Sequence, residues 1–250
     1  MPTGFDSDEV QVRYVLTDQV TDVEVGEAFR VLSVDERDCA DRFMFARDRL
    51  AYVVAHGLLR CTLSAFADIP PEAWAFRKNA HGKPELAAQS FAPNLSFNLA
   101  HTDGLVACVV SRHGSVGVDV ECLDRQVEVL KLARRYFSAT EVRALESCAE
   151  ADRHVRFFDL WTLKEAYVKG LGTGLSHPLS TFSFVLDVPE SIRFEPPHET
   201  EASTWRFALF SPGARHRLAV AAQCGSACRM MSRSTRPGAV RAVALRRSWL

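Results

Sequence analysis

The sequence predicts a mixed α/β (α+β) chain built as two halves, each a long helix accompanied by strands. Three observations carry this reading. Apolar residues recur at helical spacing over 36–62 and again over 152–170, short strand-like runs lie between and after these stretches, and a tight turn at His113-Gly114 separates them. With 250 residues, 47% hydrophobic and 24% charged, the chain is too apolar for disorder and too mixed for a fibrous repeat. Its length allows one large domain or two modest ones.

The elements follow in order. Val10, Val12 and Tyr14 alternate as in a strand, and mixed sequence then leads toward a helix. Ser33 and Asp35 offer capping chemistry before the first long helix over 36–62, whose apolar positions are Phe43, Phe45, Leu50, Val53, Val54, Leu58 and Leu59. Arg42, Arg47 and Arg49 occupy its polar side. The Pro70-Pro71 pair breaks it, and residues 79–84 (NAHGKP) read as a turn. Residues 93–99 read as extended, 105–110 (LVACVV) as a buried strand, and 115–121 as another strand. Helical patterns at 126–136 and 139–148 precede the longest helix, over 152–170, which ends in Gly170, Gly172 and Gly174. Runs at 182–186, 205–210 and 218–222 close the body as strands. These signals divide the chain into 1–113, 114–224 and a tail, 225–250, expected to be flexible.

The formal charge of −1 argues against a nucleic-acid or membrane-surface binder, but it averages two unlike regions. The tail carries six arginines and no acid, which leaves −7 on the first 224 residues. Seven scattered cysteines without a C-x-x-C pair suit a reducing compartment, and no apolar run is long enough to cross a bilayer. A cytoplasmic, monomeric protein is expected.

Two constellations carry chemistry. In the strand G-V-D-V-E (117–121) the valines take one face, so Asp119 and Glu121 emerge together on the other. Two carboxylates so placed repel unless a cation lies between them, and their hard oxygens favour Mg²⁺ or Mn²⁺. An ordinary solvated strand face is the competing reading. In the helix W-T-L-K-E-A-Y-V-K (161–169), Trp161, Glu165 and Lys169 form one stripe. A surface Glu165–Lys169 pair beside an aromatic core residue is the plain alternative there. Lys83 and His101 lie in polar segments and could meet phosphate, although such residues are more often merely solvated. Neither a phosphate loop, H-E-x-x-H, G-x-S-x-G nor zinc-ligand spacing occurs.

In their order and spacing, GKP (82–84), FNLAHT (97–102), GVDVE (117–121), YFSATE (136–141) and WTLKEAYVKG (161–170) resemble the 4′-phosphopantetheinyl transferases of the surfactin-synthetase-activating (Sfp-type) class. The likeness runs from about Phe43 to Phe184 and includes FMFARD (43–48). It implies two pseudo-symmetric halves, each a long helix on a small, mostly antiparallel sheet, with coenzyme A and Mg²⁺ in the cleft between them. It also implies transfer of the 4′-phosphopantetheine arm of coenzyme A to a serine of an apo acyl or peptidyl carrier protein, with release of adenosine 3′,5′-bisphosphate. This is holo-[acyl-carrier-protein] synthase chemistry, and the resemblance leaves fatty-acid, polyketide, nonribosomal-peptide and siderophore systems all open as its setting.

On this resemblance Asp119, Glu121 and Glu165 hold the metal, Glu165 doubles as base for the carrier serine, and Lys169 meets the leaving phosphate. Lys83, Pro84, His101, Thr102, Asp119 and Lys169 contact coenzyme A. Members carry a basic residue where Cys39 stands, which leaves the neighbouring Arg37 or Arg42 to meet the 3′-phosphate, and Ala100 replaces a serine before the active-site histidine. Glu141 admits two readings, a catalytic acid or the far end of a Ser138 capping box. A catalytically silent carrier-binding module and a Mg²⁺-dependent pyrophosphate hydrolase share parts of the same residue set.

Overall fold

The structure is a computed structural model that describes residues 9–87, 95–112, 114–174, 177–187, 191–197, 204–224 and 229–235. His113 of the expected turn, residues 93–94 of the expected extended run, and 225–228 and 236–250 of the tail lie outside the described residues.

Strand β1 (Glu9–Leu16) leads into helices α1 (Asp22–Arg30), α2 (Val34–Asp41) and α3 (Ala46–Phe66). A short hairpin, β2 (Phe76–Lys78) and β3 (Pro84–Leu86), precedes β4 (Ser96–Thr102), β5 (Leu105–Ser111) and β6 (Val116–Cys122). Helices α4 (Val129–Tyr136), α5 (Ala139–Ser147) and α6 (Glu150–Leu171) follow. The remaining strands are β7 (Ser183–Asp187), β8 (Ser191–Glu195), β9 (Trp205–Phe210), β10 (His216–Gln223) and β11 (Arg229–Ser234).

One sheet has the order β11-β1-β5-β4 and the other β6-β10-β9; every pairing in them is antiparallel except β1 with β11. Their inner faces share one core, in which Val10, Val12, Ala107 and Val109 meet Val118, Val120, Leu218 and Val220. Helix α3 covers the outer face of the first sheet through Val54, Leu58 and Leu63. Helix α6 covers the second through Leu163, Ala166 and Tyr167 against Ala219 and Ala221. The expected fold class is therefore observed. Asn98 Oδ1 on β4 accepts the Val118 N–H at 2.9 Å, a buried bond from the first sheet to the strand that carries Asp119.

Three sequence expectations need correction. The helix expected over 36–62 is two: α2 ends at Asp41 with Arg42 as its C-cap, and Phe45 is extended (φ −105°, ψ 131°) before α3 begins. Phe43 and Phe45 are accordingly exposed, because the break takes them off the helix face that their spacing suggested. The hairpin β2–β3 and strand β8 were too short to register as periodic runs. In the tail, β11 pairs in parallel with β1, so 229–234 forms an edge strand of the first sheet instead of a free end.

A polar lock joins α2 to α3. Ser33 caps α2 in a capping box with Glu36, whose carboxylate also takes Arg60 Nε at 2.8 Å and faces His56 Nδ1 at 3.0 Å. Arg60 is 1% exposed and donates further to the carbonyls of Pro71 and Trp74, both at 2.9 Å. Burial by itself would raise the Glu36 pKa, but hydrogen bonds from His56, Arg60 and the Ser33 N–H outweigh it and hold the group at about 2. A depressed folded-state pKa contributes stability that is present above the unfolded value, 4.5, and is lost as pH falls toward 2. Urea unfolding of the wild type should weaken across that window, and Glu36→Gln should flatten the slope; an unaltered slope would count against the lock.

Candidate active site

Alternation along β6 places Val116, Val118 and Val120 in the shared core and turns Gly117, Asp119 and Glu121 toward α6. This face is covered and is not the ordinary solvated strand face of the competing reading. Asp119 is 6% exposed, because α6 lies so close that a Cβ on Gly117 would stand 2.0 Å from the Ala166 carbonyl oxygen. The stripe expected on α6 is present, with Glu165 and Lys169 half-buried and Trp161 packed edge-on to Tyr136 at 5.8 Å.

Lys169 pairs with the strand and not with Glu165: its Nζ donates to Asp119 Oδ1 at 2.6 Å. The Lys169 side chain is 33% exposed against 9% for Asp119, so the lysine is the more solvent-facing member of the pair. Burial pushes the Asp119 pKa up against the opposing pull of Lys169. Glu121 is raised to about 7, first by burial and then by the Asp119 charge, with Arg125 at 3.4 Å opposing. Glu165 is raised for the same two reasons. Three acids thus share one lysine, which is the repulsion the sequence implied.

Among the described residues no group of three His, Cys, Asp or Glu side chains is gathered as a ready metal site. The physical reason lies in that repulsion: Lys169 is the near counter-charge, and it takes only Asp119. The donor chemistry nonetheless fits a hard divalent cation. Among the described residues Asp119 Oδ2 is buried with no hydrogen-bond partner, and the neighbouring acids supply further carboxylate oxygens.

Glu141 sits elsewhere, and the structure gives it the capping role. Its Oε2 accepts the Ser138 N–H and hydroxyl, each at 3.0 Å, and lies 2.8 Å from Lys164 Nζ; its Oε1 accepts the Phe184 N–H at 2.9 Å. Both side chains of the Glu141–Lys164 pair are 0% exposed, so Glu141 cannot touch a substrate that arrives from solvent. Lys164 was not singled out from sequence, since its polarity gave no hint of an inward-facing position. Its ammonium also donates to the carbonyls of Leu179 and Phe182 at 2.7 Å, and burial lowers its pKa to about 8 against the pull of Glu141. Removing one member of such a pair strands the other, so Lys164→Met should cost about 3–5 kcal/mol in urea unfolding. A loss below about 1 kcal/mol would mean that the pair is not a structural pin.

The residues expected to meet coenzyme A divide. His101 and Thr102 line a cleft of about 430 Å³ with Phe43, Arg47, Asp48 and Tyr52. The His101 pKa is lowered, chiefly by desolvation and next by the charge of Lys169. Arg47, placed only on a polar helix side from sequence, lies in this lining and pairs with Asp48 at 3.3 Å. Arg42 is exposed at the end of α2, outside the lining, and Arg37 donates to the Arg30 carbonyl at 2.7 Å. Pro84 opens β3 and is exposed. Lys83 is outside this lining: its Nζ donates to the carbonyls of Lys169, Gly170 and Val116.

Residues 115–221 match the 4′-phosphopantetheinyl transferase superfamily, and residues 19–113 match the 4′-phosphopantetheinyl transferase N-terminal family. The chain is 32% identical over 170 residues to the 4′-phosphopantetheinyl transferase HetI of Nostoc sp., across 68% of this chain and 71% of that protein. It is 32% identical to the 4′-phosphopantetheinyl transferase gsp of Aneurinibacillus migulanus, across 60% of each protein. With a 4′-phosphopantetheinyl transferase of Bacillus subtilis it shares 27% identity, across 80% of this chain and 87% of the relative. A solved structure, the Thermotoga maritima holo-[acyl-carrier-protein] synthase, matches with a TM-score of 0.36 at 23% identity over 44% of this chain and 63% of that one. Two family matches that together take in both long helices, and a relative above 30% identity over most of its length, place the chain in the 4′-phosphopantetheinyl transferase superfamily, among its Sfp-type members.

Proposed function

We propose that this enzyme transfers the 4′-phosphopantetheine arm of coenzyme A to a serine of an apo acyl or peptidyl carrier protein, in a Mg²⁺-dependent reaction that releases adenosine 3′,5′-bisphosphate. The observation that carries the proposal is the convergence of Asp119, Glu121, Glu165 and Lys169 at the α6–β6 seam, and a cleft lined by His101 and Thr102 offers a place for coenzyme A. The meeting of the two family matches at 113–115 supports two halves, 1–113 and 114–224.

Each residue has a task that its environment suits. Lys169, the less buried member of its pair, presents positive charge to the phosphate that departs when the pyrophosphate linkage breaks. Glu165, with its pKa raised by burial and by Asp119, is the base for the serine proton. His101, lowered by desolvation and Lys169, is neutral near pH 7 and meets a phosphate by hydrogen bonding. Thr102 contributes a hydroxyl on the same wall, and Arg47 and the exposed Arg42 are the arginines available to the 3′-phosphate. A Mg²⁺ held by Asp119, Glu121 and Glu165 would supply the divalent charge that offsets the phosphates.

Purified protein incubated with coenzyme A, Mg²⁺ and a panel of apo carriers should add one phosphopantetheine arm per serine by intact mass. Glu165→Gln should abolish the addition with its unfolding midpoint kept, and chelation should stop the wild type. A modified carrier formed at the normal rate by that variant, or in excess chelator, would refute these roles.

A further inference from the structure

The Lys83 ammonium has three hydrogens and three main-chain partners: the carbonyls of Lys169 at 2.6 Å, Gly170 at 3.3 Å and Val116 at 3.3 Å. None is left for a phosphate oxygen. Two of these carbonyls belong to the last turn of α6, where helix geometry leaves oxygens without an N–H partner and where positive charge is favoured. The third opens β6.

The β2–β3 turn holds Lys83 in place to make these bonds. Asn79 Oδ1 accepts the N–H groups of His81 and Lys83 at 2.9 and 3.0 Å, the Asn79 N–H donates to the Lys83 carbonyl at 2.9 Å, and Gly82 takes the left-handed conformation with φ 82°. The stem of Lys83 then runs past Gly172, where an added Cβ would lie 3.3 Å from its Cδ.

We propose that Lys83 is a positioning residue: it caps α6 from the other half of the chain and thereby holds Lys169 against Asp119. The main chain at Lys169 is fixed on one side by Lys83 while its side chain is fixed on the other by Asp119. A single ammonium ties the end of α6 to the start of β6, and the pair that faces the phosphates is built across that tie. Burial lowers the Lys83 pKa to about 8, with the Glu85 charge opposing.

The catalytic half of this proposal rests on the transfer reaction above; the capping half does not. In the full chain, Lys83→Met should lower kcat roughly 10- to 100-fold while the KM for coenzyme A stays within about twofold. Hydrogen exchange should accelerate in a peptide covering 164–172, and Lys83→Arg, which keeps donors and charge, should restore part of the protection and of kcat. A raised KM with kcat preserved would make Lys83 a phosphate ligand and overturn the proposal, and so would unchanged exchange in that peptide. If Lys83→Met fails to fold, Lys83→Gln carries the same two readouts. A wild type without transfer on any carrier would remove the assigned reaction, while the exchange result would still decide the cap.

Discussion

Helix α6 and strand β6 approach so closely at Gly117 that no side chain fits between them. A Cβ there would meet the Ala166 oxygen at 2.0 Å and the Gly170 nitrogen at 2.4 Å, both main-chain atoms with no room to give. On the same face of the helix a Cβ on Gly170 would meet Trp205 of β9 at 2.8 Å and the Gly117 nitrogen at 3.5 Å, so a glycine on each element makes this close approach possible. Everything in the site follows from this approach. Asp119, two residues along the strand, is desolvated beneath the helix, and Lys169 is brought within 2.6 Å of it.

Desolvation then sets the electrostatics. Glu121 and Glu165 lie near a buried carboxylate with only Lys169 and Arg125 to offset them, so both resist ionisation more than a solvated glutamate would. The arrangement stores an unmet demand for positive charge, and the unpartnered Asp119 Oδ2 is its sharpest expression. By contrast, the other buried acid of this half, Glu141, is satisfied by Lys164, Ser138 and Phe184.

Period-driven features were legible in the sequence. The two-residue alternation of 117–121 and the four-residue step from Glu165 to Lys169 determine which side chains share a face, and both faces meet as their patterns imply. Features that depend on distant partners were not. Lys164 reaches Glu141 from 23 positions away, and Lys83 binds main-chain oxygens that carry no sequence signature. The split of 36–62 escaped because helical spacing continues across Arg42 and Phe45, although the backbone leaves the helix there. The strand at Arg229–Ser234 escaped because a polar, arginine-bearing run gains its order from β1 and not from its own pattern.

The most direct test of the central claim is the rate of phosphopantetheine transfer by Gly117→Ala, measured per folded enzyme. Separation of α6 from β6 would pull Lys169 and Glu165 away from Asp119, and a misplacement of about 1 Å costs on the order of 100-fold in rate. A loss of that size is predicted. A rate within about twofold of wild type would contradict the dependence of the site on this contact.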